Sequence, residues 1–335
     1  MKNKISVGFY LGVGDFLCAV PIFNELLKEN DQLRLYVSRP ILAFVPFLEL
    51  DCDKIEFVVF DTLRTATFSK MLGLVSALKA DSSDMFLITP DAQRGVSSWK
   101  IPLILRAAKV LLRKEFKIVG AAEDRLSRLY DLQVPVSKRI DLTSRGFSLA
   151  YMARIFPTNR SGDGRIFKYS TLPQAPVYDL VIHPGASKDH KKWPLSHYCT
   201  LIRELGANFK IAFIGTDNDL RETRMCSDIV GVNFVVDSLG SALAVVRNAR
   251  CVLTMDSGFS HVAALMQRPH VALFGPTSTE ATPPASPFSR ILSTECLSCR
   301  PCNLHYCRFT ENYCMHMLEP KVVGKIIYEQ LDHGK

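Results

Sequence analysis

Short apolar runs alternate with helical periodicity along most of this chain. From Cys251 to Thr277, an apolar run (Cys251 to Met255) breaks at Asp256-Ser257-Gly258, resumes at helical spacing (Val262, Ala263, Leu265, Met266) and closes in a second apolar run, Val271 to Phe274. The pattern reads as strand, tight turn, helix, strand. The chain opens in the same way, with a buried strand from Ile5 to Tyr10, a turn at Leu11-Gly12-Val13-Gly14-Asp15 and an apolar helix from Phe16 to Glu29. Further strands are expected near 33–37, 56–60, 85–89 and 117–120, with helices around 40–49, 68–79 and 99–112. The segment 156–176, rich in Pro, Gly, Ser and Thr, has little periodicity and marks a domain boundary. Beyond it, strands at 179–182 and 210–214 alternate with helices at 195–205 and 219–229, and a last helix follows at 319–331. Such alternation predicts an α/β protein of two Rossmann-like domains, with mostly parallel sheets facing each other across a central cleft.

In open α/β sheets, ligands bind at the carboxyl ends of the strands, so the turns there carry the chemistry. Asp256 or Ser257 falls where a helix N-cap belongs, and Gly258 lets backbone approach a ligand. The amides and dipole of the helix that follows then make a seat for phosphate. His261 lies about one turn into that helix, and the turn Gly275-Pro276-Thr277 ends the next strand on the same sheet edge. A second seat reads at His183-Pro184-Gly185-Ala186-Ser187, where small residues leave room beside the strand. The basic loop after it offers Lys191 and Lys192 as point charges for a diphosphate. Asp15, at the tip of the first turn, reads as a helix cap or as a general base. Read without reference to one another, these are an ordinary βαβ unit, a charged loop and a capped helix.

Composition narrows the choice. With 335 residues, 47% hydrophobic and 22% charged, the chain is globular and long enough for two cores. No apolar run approaches the roughly 20 residues that span a bilayer, and the N-terminus leads straight into a strand, so a cytoplasmic protein is expected. A net charge of +8 favours anionic partners: nucleotide, phosphorylated lipid or nucleic acid. Only two glycines in the first turn are spaced for a dinucleotide, which disfavours a nicotinamide-dependent oxidoreductase, and no Walker lysine follows. Lys100, Arg106, Lys109, Arg113, Lys114 and Lys117, set among apolar residues, suit an anionic membrane surface or equally a solvated helix face. Ten cysteines in a cytosolic chain do not suggest a disulfide framework. Five of them crowd together as Cys296, Cys299, Cys302, Cys307 and Cys314. Their spacing can place four thiolates around a structural zinc or iron ion, or form a compact loop of reduced thiols. A metal-containing nucleic-acid binder is the remaining alternative class.

Taken together, these motifs resemble those of the ADP-heptose:lipopolysaccharide heptosyltransferases, glycosyltransferase family 9, whose fold is GT-B. The resemblance rests on Gly12-Val-Gly-Asp15, Asp91-Ala-Gln93, His183-Pro-Gly-Ala-Ser187, Lys191-Lys192-Trp193-Pro194, Asp256-Ser-Gly-Phe-Ser-His261, Phe274-Gly-Pro-Thr277 and the cysteine-rich tail. It implies an inverting transfer of heptose from ADP-heptose to a lipopolysaccharide inner-core acceptor, Kdo-lipid A or heptosylated core, with Asp15 as base and no cofactor required for the chemistry. It also implies donor contacts from Gly14, His183, Gly185, Ser187, Lys191, Lys192, Asp256, Ser257, Gly258, His261 and Thr277, with Lys191 ranked above Lys192. Acceptor contacts fall on Arg64, Asp91, Gln93 and Arg94. The implied domains are 1–160 for the acceptor, a linker at 161–176, 177–318 for the nucleotide sugar with the cysteine loop 296–314, and a C-terminal helix at 319–335 that commonly crosses back in GT-B folds. The implied setting is peripheral, at the cytoplasmic face of the inner membrane, with no nucleic-acid partner. Phe259 departs from the proline or leucine frequent in the family, and Asp237-Ser-Leu-Gly-Ser241 has no carboxylate at the point where some relatives hold the nucleotide. Another nucleotide-sugar donor or a protein acceptor is the related alternative.

Overall fold

The computed structural model describes residues 4–9, 12–30, 32–60, 68–89, 100–135 and 166–333, less 123, 125, 207–208, 222, 227–228, 230, 236–237, 281–282, 285, 303, 305 and 310. The chain forms two compact units, Met1–Lys168 and Tyr169–Lys335.

In the first unit, β1 (Lys4–Gly8), β2 (Gln32–Val37), β3 (Ile55–Val59), β4 (Met85–Ile88), β5 (Lys117–Ala121) and β6 (Leu132–Val134) form one sheet in the order β3-β2-β1-β4-β5-β6. Every pairing is parallel. Helices α1 (Val13–Glu29), α2 (Phe68–Ala80) and α3 (Lys100–Leu112) accompany it. Phe16, Val20, Phe23 and Leu27 recur at helical spacing along α1 and are buried. The Phe16 and Phe23 rings meet Phe9 at 5.4 and 5.9 Å between centroids. Pro21 is accommodated inside this helix.

Beneath the sheet, buried Asp81 accepts hydrogen bonds from Ser6 Oγ (2.5 Å) and Tyr36 Oη (2.8 Å). Burial pushes its carboxyl up, but these bonds and those from Ser83 outweigh burial and hold it below the usual carboxylate range. The expected helix over 40–49 is instead a short helix, Arg39–Leu42, and a 3-10 turn, Val45–Phe47. Pro40 and Pro46 explain the change, since proline removes a donor and suits only a helix start.

The second unit repeats the plan. Strands β7 (Leu180–His183), β8 (Ile211–Ile214), β9 (Val232–Val235), β10 (Cys251–Met255), β11 (His270–Phe274) and β12 (Ser289–Ser293) pair in the order β12-β11-β10-β7-β8-β9, all parallel. Counted from each unit's first strand, the two sheets share one order, and in each the direction of winding reverses beside the first strand. Helices α4 (Leu195–Leu205), α5 (Leu239–Asn248), α6 (Gly258–Leu265) and α7 (Pro320–His333) belong to this unit. The last helix lays Val323, Ile327 and Leu331 into the core with Leu201 and Leu205 of α4.

The helix expected over 219–229 is reduced to Asp217–Leu220 and a 3-10 turn, Thr223–Cys226. Thr216 and Asp219 form a capping box that starts the helix two residues early. A disulfide joins Cys226 to Cys199 of α4 and ties this segment down, where no disulfide framework was expected. Among the described residues, no helix is long and apolar enough to cross a membrane.

Candidate active site

Asp15 and the second unit's turns lie where their sheets reverse winding, at the carboxyl ends of β1, and of β7 and β10, the expected place for a ligand in this architecture. In the first unit, β1 leads through Gly12 into α1. Gly12 rather than Asp15 is the N-cap, which corrects the sequence expectation, and Asp15 is the third residue of the helix. Its Oδ2 accepts the Gly12 N–H at 3.2 Å, so the carboxylate is held at the helix mouth while the side chain stays partly exposed. Gly14 beside it is buried. Arg64, Asp91, Gln93 and Arg94 lie outside the described residues.

The second unit brings together most of the proposed donor set. Lys191 and Asp256 come from different turns, 65 positions apart, and meet with Nζ 2.5 Å from Oδ2. Their side chains are 10% and 8% exposed, so the pair is shielded from water. Thr277 Oγ1 donates to the same Asp256 oxygen at 2.7 Å. An ammonium carries three N–H donors, so the bond to Asp256 aims the head group without using up its capacity for an anion.

Ser257, not Asp256, is the N-cap of α6, and its hydroxyl lies 3.4 Å from His183 Nδ1. Gly258 opens α6 and supplies a first-turn amide. Phe259 stacks on the His183 ring with centroids 4.3 Å apart and an interplanar angle of 17°. A proline or leucine at 259 has no aromatic ring to stack on this imidazole, so the departure noted in the sequence builds a different wall. Burial lowers the pKa of His183 to about 4 against the opposing pull of Asp219, and the imidazole is neutral at pH 7.

Gly185 is needed for space. A Cβ there would stand 2.6 Å from Asp219 Oδ1 and 2.9 Å from His183 Cε1. Asp219 cannot yield easily, since its Oδ2 accepts Thr216 Oγ1 (2.6 Å) and Thr216 N (2.9 Å).

The other expected residues have their own surroundings. Ser187 is exposed. Lys192 turns to Asp189, 2.8 Å away. His261 is buried and near enough to influence His270, whose ring nitrogens are 3.0 Å from Thr254 Oγ1 and 3.0 Å from Ser289 Oγ. In α3 and its flank, Arg106 and Lys109 pair with Asp131 while Lys114 donates to the Asp81 carbonyl. Leu103, Val110 and Leu111 are exposed on α3, and Arg113, Glu115 and Lys117 are exposed in its flank.

Cys299, Cys302, Cys307 and Cys314 line one small cavity, together with His190, Arg300, Phe309 and Tyr313. Cys296 is exposed and does not line it. Burial pushes the Cys314 thiol up; Arg300 opposes this and the other three thiols add to it. Among the described residues, no three His, Cys, Asp or Glu side chains stand in position to ligate one ion. Sequence reasoning missed His190 and Asp219. The Thr-x-x-Asp capping pattern signalled Asp219, and nothing local signalled His190.

Comparison with known proteins adds an independent line. The family model described as glycosyltransferase family 9 (heptosyltransferase) matches residues 104–312, more than half of the chain. Lipopolysaccharide heptosyltransferase 2 of Escherichia coli K12 is 30% identical over 123 residues, 32% of this chain and 34% of that protein, so the chain matches about a third of that relative's length. Lipopolysaccharide heptosyltransferase 1 of the same strain is 29% identical over 279 residues, covering 79% of this chain and 85% of the relative. Among solved structures, E. coli heptosyltransferase WaaC with ADP superposes with a TM-score of 0.70 at 17% identity, over 98% of this chain and 99% of that one. That likeness shows the shared fold.

Proposed function

The chain belongs to glycosyltransferase family 9, the heptosyltransferases, and on that premise we propose that it moves a heptose from ADP-heptose to a hydroxyl of the lipopolysaccharide inner core, inverting the anomeric carbon. The observation that carries the donor half is the buried trio Lys191, Asp256 and Thr277 at the winding reversal of the second sheet. A fixed ammonium and the first amides of α6 at one strand edge suit a sugar diphosphate. The lipopolysaccharide heptosyltransferase relatives and the similar E. coli structure with ADP support heptose and ADP as its parts.

In the reaction, Asp15 takes the proton of the acceptor hydroxyl as that oxygen bonds to the anomeric carbon. The bond from that carbon to the diphosphate oxygen breaks on the opposite face, and ADP leaves with the electron pair. Negative charge growing on the leaving oxygen is met by Lys191 and the amide-lined turn, so the site favours the transition state over the ground state. No cofactor enters this scheme. The enzyme works at the cytoplasmic face of the inner membrane, with Arg64, Asp91, Gln93 and Arg94 on the acceptor side.

Asp15→Asn is the direct test. Transfer is expected to fall by about 10²–10⁴, the usual worth of a positioned base, while ADP still raises the melting temperature as it does for the wild type. Undiminished turnover would show that Asp15 only caps α1. A thermal-shift panel of nucleotide sugars tests the donor, because a ligand bound by the native state alone stabilises it.

A further inference from the structure

The segment that carries the cysteines is fastened to the back of the donor turns. Arg300 donates through Nε to the Gly275 carbonyl and through Nη2 to the Thr277 carbonyl, the latter at 3.2 Å. Between them, the Cys302 amide donates to the Pro276 carbonyl at 3.0 Å. Three consecutive carbonyls of the 275–277 turn are therefore captured by residues 300 and 302.

Close packing reinforces this attachment. A Cβ on Gly275 would lie 2.5 Å from Met315 Sδ and 3.2 Å from Cys314 Sγ, so only glycine lets the tail approach so closely. The basic loop is tied to the same tail, through Asn312 Nδ2 to the Asp189 carbonyl (3.0 Å) and Lys188 Nζ to the Leu304 carbonyl (3.2 Å).

What the turn holds in front explains why its position matters. Thr277 reaches Asp256 Oδ2, and the same oxygen fixes Lys191 Nζ. A guanidinium is a rigid planar fork, so two bonds to carbonyls two residues apart set both the place and the tilt of the turn.

We propose that Arg300 is a positioning residue for donor binding: by gripping the 275–277 turn from behind, it sets Thr277 and Asp256 and thereby aims the Lys191 ammonium at the diphosphate. The inference rests on the reading of Lys191 as the phosphate-binding cation. Arg300 itself touches no substrate and acts through the chain Thr277, Asp256, Lys191.

The test is ADP binding by calorimetry to full-length wild type, Arg300→Lys, Arg300→Ala, Lys191→Gln, and the double variant Arg300→Lys with Lys191→Gln. Glutamine at 191 keeps a donor group facing Asp256, and a cooperative unfolding transition of each variant guards against a misfolded control. Loss of the fork is expected to weaken ADP by about tenfold in Arg300→Lys, the worth of one or two hydrogen bonds, with kcat changed much less than the donor KM. In the Lys191→Gln background the same Arg300→Lys change is expected to cost nothing further, because the two residues act in series.

A residue that merely stabilises the tail would give additive losses in the cycle, and that outcome overturns the proposal. If Lys191→Gln loses ADP while Arg300→Lys and Arg300→Ala bind it as tightly as wild type, the positioning role falls and the reading of Lys191 stands. If Lys191→Gln binds ADP like wild type, both fall together.

Discussion

Lys191 and Asp256 hold each other in a place that water barely reaches, so each depends on the other for its charge to be tolerated. Removing one member of such a pair strands the other. Lys191→Met is therefore expected to lower unfolding free energy by about 3–5 kcal/mol, measured by denaturant titration. The neutral pair Lys191→Gln with Asp256→Asn should regain most of that stability and none of the ADP affinity, which separates the structural from the functional share of the lysine. Its proposed role and its pairing were unequally visible in the sequence. A basic loop ahead of Trp193-Pro194 pointed to Lys191, but its partner lies 65 positions away and only the fold pairs them. The same holds for Phe259, whose stacking on His183 depends on the turns after β7 and β10 lying side by side.

At the scale of elements, the close turns tolerate little change. Gly185→Ala would drive a methyl into Asp219, itself held by Thr216, at a cost of about 1–3 kcal/mol for overpacking. The variant is expected to show a lower melting temperature and weaker ADP binding, whereas the same substitution at Gly73, which faces open space, should leave ADP binding unchanged. Most elements were legible because buried parallel strands are continuous apolar runs, as in Cys251–Met255 and His270–Phe274. Prolines misled the reading of 40–49, and a capping box followed by a disulfide misled that of 219–229. The edge strands Val232–Val235 and Ser289–Ser293 escaped notice because they are only partly buried and carry polar residues. Asp15 was recognised as important, yet its place in the helix was misjudged by three residues, since glycine serves as N-cap without any side-chain signature.

For the whole molecule, buried histidines set the response to acid. Burial lowers His270 to about 3, with His261 adding to the effect, and lowers His183 to about 4. Unfolded histidine titrates near 6.5, so below that value the unfolded chain binds protons that the native one refuses. Stability from both groups is complete above about pH 6.5 and is lost progressively as pH falls toward 4 and 3. Melting temperature is expected to fall over that window in wild type and to fall less steeply in His270→Gln. Every described strand pairing closes within its own unit, and the polypeptide passes from one to the other between Lys168 and Tyr169. The cradle, the thiol cavity and the arginine grip all belong to residues after that passage. On the proposed reading, a gene severed there should yield a C-terminal fragment that folds unaided and titrates ADP, yet turns nothing over until the N-terminal fragment is supplied, so that the enzyme could be run as a two-part kit whose binding half is stored apart from the proposed base.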